Sequence, residues 1–253
     1  MAQGFLEQES KKANKRKRKL FLSMFVFFAC IAGVLYFALK DQIDLSDPKD
    51  QKLVFLFFLL TGIMLLCTAV GLLVSIRPAR NGKNLILPCG ENTKEAVAAF
   101  INREVADGKI LYEGFMNYKT IRPYPNRVIL LPTYLLLVGE MGWITAIPRD
   151  KIYWLCAQVG YKGGPYFVRL LIFTEKKLID FDGNDIEHTQ KIANDLYQYI
   201  PNVFSQYDSQ DGVFNQHGSH ILEKMFKENP AEFFAFYEQA KNEQEKGVQE
   251  REL

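Results

Sequence analysis

Histidine and cysteine are scarce in this sequence, with three His and four Cys among 253 residues. Cys30 and Cys67 fall inside long apolar runs, while Cys89 and Cys156 are far apart in the chain, and no C-x-x-C pair occurs. This spacing excludes the disulfide framework of a small secreted domain and the ligand set of a zinc ribbon. It favours reduced cytoplasmic thiols.

The sequence also lacks the short motifs of common catalytic chemistry. It has no G-x-S-x-G motif, and the glycine-rich segment at residues 160–165 (GYKGGP) lacks the G-K-[ST] ending of a phosphate loop, so we expect a hairpin turn there. His188 is the one histidine between residues 84 and 207, and no acid/base site can be assigned around it. These absences predict a non-catalytic protein without a cofactor.

Two further patterns resemble metal sites. His217 and His220 have the spacing of two ligands on a helix, with Glu223 nearby. Ser219, however, suits a helix N-cap, and no third strong ligand is evident. The DFDGND segment at residues 180–185 has its glycine fourth, where a calcium loop needs it sixth. We predict no metal site and interpret this segment as a strand-to-helix turn.

Asp, Glu, Lys, Arg and His are missing from two long stretches, residues 20–39 and 53–76. At a helical rise of about 1.5 Å per residue, each stretch reaches roughly 30 Å or more, the thickness of a bilayer's hydrocarbon core. The mean hydropathy of the whole chain is only -0.09, so this argument rests on where the apolar residues lie. We predict a hairpin of two transmembrane helices.

Basic residues flank the predicted hairpin. Residues 1–83 carry 13 basic and 6 acidic groups, residues 84–207 carry 13 of each, and residues 208–253 carry 5 basic and 10 acidic groups. Before the first span and after the second, the flanking basic residues are Lys15, Arg16, Lys17, Arg18, Lys19, Arg77 and Arg80, whereas the loop at residues 40–52 has four Asp against three Lys. Positive flanks are retained in the cytoplasm. We therefore predict a multi-pass protein of the cell membrane with a cytoplasmic N-terminus (residues 1–19), a cytoplasmic C-terminal part, and residues 42–50 outside.

Other interpretations of the N-terminal part fit less well. A signal peptide also begins with basic residues, but here the apolar run is longer, no small-x-small cleavage site follows, and a second span comes next. Basic residues that abut a span favour anionic lipid headgroups over nucleic acid. Transporters usually have a charged residue within a span, and these spans have none. We therefore interpret the hairpin as a membrane anchor. Small residues spaced four apart could let the helices approach closely; these are Ala29, Gly33, Cys67 and Gly71.

Residues 84–207 have the pattern of an α+β domain. A leading helix is predicted at residues 93–106, with Asn92 and Glu95 as a capping box. About seven short antiparallel strands follow, at residues 110–118, 128–131, 134–138, 144–147, 151–159, 167–174 and 177–181. A last helix is predicted at residues 184–200, capped by Asn184 and with Ile192 and Leu196 on its apolar face.

The local sequence within this domain resembles a known family. The runs RVILLPTYLLLVG (127–139), WITAIPRDKIYWL (143–155) and VRLLIFTEKKLIDFDG (168–183), followed by a helix ending in YIP, are similar to bacterial pleckstrin-homology-like (PH-like) domains of small membrane proteins. The resemblance covers residues 111–201. It implies a strongly bent antiparallel sheet with one end closed by the last helix, often coupled to transmembrane helices. The function of the family is largely unknown, so no ligand is implied.

Residues 208–253 form an acidic tail with two helical patterns. Ile221, Leu222, Met225 and Phe226 mark one apolar face, and Asn229 followed by Pro230 marks the start of a second helix. Four aromatic residues within five positions exceed what one helical face can bury, so we predict that they bind a partner; they are Phe233, Phe234, Phe236 and Tyr237. The alternative is that both aromatic faces pack on the protein's own domain.

The sequence favours a membrane-anchored, non-catalytic scaffold or regulator. Its partners would be the lipid bilayer and a protein or lipid headgroup, with no nucleic acid, and a homo-oligomer is compatible with the sequence. Two alternatives stay open. One is a membrane-bound enzyme with a site built from dispersed residues, and the other is an accessory subunit of a membrane complex.

Overall fold

The computed structural model describes residues 4–39, 48–76, 84–90, 92–116, 126–161, 166–183, 185–200, 203–204 and 216–249. The chain divides into two compact units, Glu7–Asn81 and Gly82–Leu253, with Gly4–Leu6 grouped with the second unit. Several predicted features lie outside the described residues: Arg77, Arg80, most of the predicted outer loop (42–47) and most of the predicted hairpin turn (162–165).

The first unit is built from two long helices, α1 (Phe5–Leu39) and α2 (Pro48–Ile76). Within them, Phe5–Phe37 and Val54–Ser75 are long and apolar enough to cross a membrane. The predicted apolar helices are therefore present. The basic run that includes Lys15 and Lys19 is itself helical and continues directly into the apolar part of α1.

The two helices approach closely where a glycine allows it. A Cβ atom at Gly71 of α2 would lie 2.5 Å from Cε1 of Phe21 in α1, so the aromatic ring occupies the space that the glycine leaves. A Cβ atom at Gly33 would have no neighbour within 4 Å. The Nε atom of Arg18 donates to the backbone oxygen of Ser75 at 3.3 Å. The close approach expected from small residues therefore occurs at Gly71 and not at Gly33.

The second unit is an α+β domain whose first sheet has five strands. Its elements are β1 (Leu85–Ile86), α3 (Lys94–Ala106), β2 (Tyr112–Phe115), β3 (Arg127–Leu130), β4 (Tyr134–Val138) and β5 (Ile144–Pro148). The strand order is β1-β5-β4-β3-β2. Strands β2 to β5 pair antiparallel, whereas β1 pairs parallel with β5, so this sheet is mixed.

A second sheet and three further helices complete the domain. Strands β6 (Ile152–Tyr161), β7 (Tyr166–Thr174) and β8 (Leu178–Gly183) form an antiparallel sheet. They are followed by α4 (Ile186–Tyr197), α5 (Gln216–Glu228) and α6 (Pro230–Gln249). The part of the chain that is described thus has eight strands where the sequence predicts about seven. The additional strand is β1, which has only two residues and no alternation to reveal it.

The first sheet is buried on both faces, which explains its continuous apolar runs. In β4, Leu135 and Leu137 point into a core shared with the second sheet and α4, while Tyr134, Leu136 and Val138 point into a core covered by α3. All five residues of this strand are buried. A strand covered on both faces has no polar face, so its sequence shows no alternation between apolar and polar residues.

Helix α4 closes the core between the two sheets. Ile192 and Leu196 pack there with strand residues such as Leu170, as the apolar face of this helix predicts. The helix N-cap is Asp185, whose side chain accepts from the backbone N–H of His188 at 2.8 Å. The N-cap is therefore one residue later than the predicted Asn184, which itself lies outside the described residues.

Two other predicted helix starts are also corrected. The N-cap of α3 is Thr93, which accepts from the backbone N–H of Ala96, and not Asn92. Asn and Thr are both good N-cap residues, so the sequence alone could not decide which of these two neighbours caps the helix. Helix α5 begins at Gln216, which places Ser219 inside the helix, where its side chain is buried. Ser219 is therefore not an N-cap.

Candidate functional site

The outer face of the second sheet changes from apolar to polar along its length. Side chains alternate across a strand, so the cross-strand pairs on this face are Trp154 with Phe173, Cys156 with Leu171, and Gln158 with Arg169. The first two pairs are apolar or aromatic and the third is polar. Helices α5 and α6 cover the buried part of this face, so each pair meets a different part of the tail.

The polar end is joined to α5 by a dense set of hydrogen bonds. Gln158, Arg169, Glu223 and Lys227 form what we call the tail-docking cluster. The Nη2 atom of Arg169 donates to both carboxylate oxygens of Glu223, at 2.9 and 2.8 Å, and its Nε atom donates to Oε1 of Gln158 at 2.8 Å. Nε2 of Gln158 donates to Glu223 at 2.9 Å, and Nζ of Lys227 does so at 2.6 Å.

The tail-docking cluster is largely removed from water. Gln158 is fully buried, and the side chains of Arg169 and Glu223 are 17% and 12% exposed. Burial by itself raises the pKa of the Glu223 carboxyl. The hydrogen bonds from Lys227 and Gln158 and the charge of Arg169 outweigh this and hold that pKa below its ordinary value of 4.5. Glu223 is therefore a structural carboxylate held in its charged form.

Cys156 lies under the same helices and is chemically quiet. Its side chain is fully buried, and burial, reinforced by the nearby charge of Glu223, raises the pKa of the thiol to about 12. Because the thiolate is the reactive form, this cysteine has none of the features of a nucleophile.

The apolar end of the face is an aromatic layer. The ring of Phe233 stacks on Phe173 with centroids 5.0 Å apart and an interplanar angle of 12°. Phe226 meets Phe233 edge to face, also at 5.0 Å. Tyr153 makes similar edge contacts with Phe234 at 5.1 Å and with Tyr237 at 5.0 Å. Offset and edge-to-face geometries are the favoured ones for aromatic pairs.

The four aromatic residues predicted to bind a partner are thus placed differently from one another. Phe233 and Tyr237 are buried against the domain, and Phe234 is half-buried over Tyr153. Phe236 is 40% exposed and stacks at the rim of the layer on Trp154. The alternative of packing on the parent domain accounts for Phe233, Phe234 and Tyr237. Partner binding stays a prediction, and the exposed ring available for it is Phe236.

Two of the residues weighed as metal ligands, His220 and Glu223, have other partners, while the side chain of His217 lies outside the described part of the structure. The ring Nε2 of His220 lies 3.0 Å from the backbone oxygen of Val159, and Glu223 belongs to the tail-docking cluster. Asp180 and Asp182 are in β8, and Asp185 is a helix cap. Among the described residues, no three His, Cys, Asp or Glu side chains are grouped to hold a metal ion.

A small recess lies near the start of α3. It is lined by Leu87, Cys89, Val97 and Tyr134, together with other residues, and has a volume of about 10 Å³. That is room for about one water molecule. The recess is too small to hold a metabolite.

The tail-docking cluster is the feature that motif reasoning missed. Its sequence signal is a lone Gln158 in the run LCAQVG and a lone Arg169 in the run VRLLIF. A polar residue inside a buried strand needs a hydrogen-bond partner. This signal shows that partners must exist, but not that Glu223 supplies one, since it lies 54 residues from Arg169.

Comparison of the chain with protein-family models, with curated proteins and with solved structures finds no match.

Proposed function

We propose that this protein is a membrane-anchored, non-catalytic scaffold or regulator. Helices α1 and α2 span the cell membrane with both ends in the cytoplasm, and the α+β domain carries the tail as a binding element. Two observations support the anchor. The two helices are long and apolar enough to span, and the flanking basic residues favour a cytoplasmic location for both ends.

A PH-like fold is part of this proposal. Support comes from the order of the elements after α3, which is four antiparallel strands, then three more in a second sheet, then a helix packed into the core between the sheets. The parallel strand β1, helix α3 and the tail helices are additions to that order.

The observation that carries the non-catalytic role is the use of the buried polar groups. Arg169, Glu223 and Gln158 are the side chains that would attract attention as an active site, and they satisfy one another beneath α5. Catalytic groups must reach a substrate in a cleft, whereas these groups are covered by α5. Here the charges hold the tail in a fixed position on the sheet.

The tail then presents a surface to a protein partner. Phe236 is exposed at the rim of the aromatic layer, and residues 208–253 carry 10 acidic and 5 basic groups. Negative charge disfavours contact with anionic lipid and suits a basic protein surface. Exposed aromatic rings next to buried ones are typical anchors of protein interfaces.

Site-specific photo-crosslinking tests this proposal. Benzoylphenylalanine is placed at Phe236 of the full chain in native membranes. The matched control is the same group at Tyr199, which is 42% exposed compared with 40% for Phe236 but lies just after α4. We expect an adduct of defined mass with a protein at position 236 and none at position 199. No adduct at 236, or the same adducts at both positions, would count against the tail as a binding element.

A further inference from the structure

Exposed apolar side chains gather at one end of the five-stranded sheet. They are Ile86, Phe115, Met141 and Trp143, with exposed fractions of 41%, 45%, 44% and 60%. We call this group the Trp143 edge. Several large apolar side chains exposed at one end of a domain are typical of surfaces that contact a membrane or another protein.

The pairing register places these residues at the same end, with Phe115 and Ile86 on opposite faces of the sheet, since Phe115 is in line with Leu85. Leu85 of β1 is paired with Ile144, which directly follows Trp143. Across the sheet, Ile144 pairs with Val138, Val138 with Arg127, and Arg127 with Phe115. At about 4.8 Å per strand, these four steps make an edge roughly 19 Å wide.

The turn between β4 and β5 holds Trp143 in place. The backbone N–H of Gly139 donates to the oxygen of Trp143 at 2.9 Å, and that of Gly142 donates to Gly139 at 2.8 Å. Gly142 has a φ of 81°, which favours glycine. Asn126, a buried residue, accepts from the N–H of Glu140 at 3.0 Å. These hydrogen bonds fix the turn that carries the exposed indole of Trp143.

A short stretch of chain links this edge to the end of α2. Helix α2 ends at Ile76, and the backbone oxygen of Asn84, eight residues later, accepts from the N–H of Ile144 at 3.1 Å. Eight residues span at most about 28 Å when fully extended. The segment 77–83 carries three basic residues and no acidic one, so it is not repelled by a lipid surface.

We propose that the Trp143 edge inserts into the headgroup region of the bilayer that anchors the protein. Tryptophan is the side chain best suited to this layer, because its ring is apolar and its N–H can still bond to water or lipid oxygen. Two acidic residues, Glu140 and the exposed Asp182, lie near the edge, and their charge is not attracted to anionic lipid. The proposed contact is therefore with the interfacial layer of the bilayer and does not need anionic headgroups. This inference rests on the proposed membrane anchorage and adds to it a second contact made by the domain.

Tryptophan fluorescence of the full chain tests the insertion. The chain has two tryptophans, and Trp154 is buried. The emission of Trp143 is therefore obtained by subtracting the spectrum of Trp143→Phe from that of the wild type, with no change to the core. The protein is reconstituted into phosphatidylcholine vesicles, with or without brominated acyl chains, and titrated with aqueous iodide. Bromine in both leaflets removes any dependence on orientation.

We expect Trp143 to show blue-shifted emission that brominated lipid quenches and iodide does not. The matched control is Tyr199→Trp in the Trp143→Phe background, since Tyr199 is 42% exposed and follows the far end of α4. Its emission is expected to be quenched by iodide only. Quenching of Trp143 by iodide and not by bromine overturns the proposal, as does equal bromine quenching at both positions.

Two further outcomes separate this inference from the function on which it rests. Protection of Trp143 from iodide without bromine quenching would assign the edge to a protein surface and overturn lipid insertion. A chain that does not float with the vesicles would refute the membrane anchor itself. A chain that floats and leaves Trp143 in water would refute only the insertion.

Discussion

At the residue scale, the tail-docking cluster determines how α5 sits on the second sheet. Arg169 holds Glu223 through both carboxylate oxygens, and Gln158 holds the same carboxylate from the neighbouring strand. A buried ion pair adds little net stability compared with apolar packing, because both charges lose their water. Its fixed geometry, however, favours one alignment of α5 along the sheet, whereas the aromatic layer alone would tolerate small shifts.

Removing one partner of the cluster should be strongly destabilising. We expect Arg169→Met to lower the free energy of unfolding by about 3 kcal/mol, the lower end of the range for breaking a buried pair, since both side chains retain some exposure. The control is Lys224→Met on the same helix. Lys224 is 72% exposed and lies 3.9 Å from Glu228, so its loss should change stability by less than about 1 kcal/mol. Denaturant unfolding of the full chain in detergent measures both, and equal effects would contradict a docking role for Arg169.

The charge on Glu223 predicts a response to acid. The folded protein holds the pKa of Glu223 below 4.5, so its contribution to stability is complete above that pH and is lost as the pH falls through the lower, folded-state pKa. The melting temperature of the wild type should therefore exceed that of Glu223→Gln at neutral pH, and the gap should narrow below pH 4.5. Glu175 also has a lowered pKa, from its pair with Lys151, and it titrates in both proteins, so the difference isolates Glu223. A gap that does not change with pH would show that Glu223 is not held as a carboxylate.

At the scale of whole elements, the sequence predicts the elements whose apolar pattern is complete within one segment. Helix α4 has Ile192 and Leu196 on one face, and β7 is a β-branched and aromatic run between turns, so both are found where expected. Strand β1 is too short to carry a pattern, and its pairing with β5 is a contact between distant segments.

The position of the tail could not be predicted for a related reason. Two apolar faces on α6 require two neighbours, but periodicity does not say whether those neighbours belong to the same chain. The outer face of the second sheet, with Trp154, Cys156 and Phe173, supplies them. Because β6 and β7 are apolar on both faces, something must cover the outer face, but their pattern does not show that the tail does so.

The aromatic layer leads to a prediction for α6. Phe233 is fully buried and stacks on Phe173, so Phe233→Ala should lower the free energy of unfolding by about 3 to 5 kcal/mol, because a cavity replaces the ring. The control is Phe236→Ala, three residues along the same helix, where the ring is 40% exposed and the loss should be about 1 kcal/mol.

Thermal unfolding compares the stability of the two variants. Thiol reactivity shows where in the protein the packing is lost. Cys156 lies beneath the tail and should react with a maleimide faster in Phe233→Ala than in the wild type, as shown by mass mapping of the labelled peptide. If Phe233→Ala were as stable as the wild type and Cys156 stayed protected, the tail would not be docked as described.

At the scale of the whole molecule, charge and apolar residues are strongly segregated. The basic excess lies in residues 1–83, which include the two uncharged apolar stretches 20–39 and 53–76, and the acidic excess lies in residues 208–253. This arrangement suits a chain that is fixed to a membrane at its first unit and presents a negatively charged tail to the cytoplasm. The proposed function depends on that orientation.

The native cysteines make the orientation measurable by thiol labelling. Cys89 and Cys156 are buried in the domain. Cys30 and Cys67 lie within the apolar parts of α1 and α2, where an impermeant reagent does not reach them in a bilayer. The wild-type chain therefore serves as the background for single added cysteines.

Labelling of Ser46→Cys and, separately, Ser209→Cys with an impermeant maleimide is the most direct test of a membrane hairpin with a cytoplasmic domain. Ser46 lies between the two apolar helices and Ser209 lies between α4 and α5. In intact cells we predict labelling at position 46 alone, with position 209 labelled only after the cells are lysed. Labelling at position 209 alone in intact cells would show the opposite orientation, and labelling of both positions in intact cells would contradict a membrane hairpin.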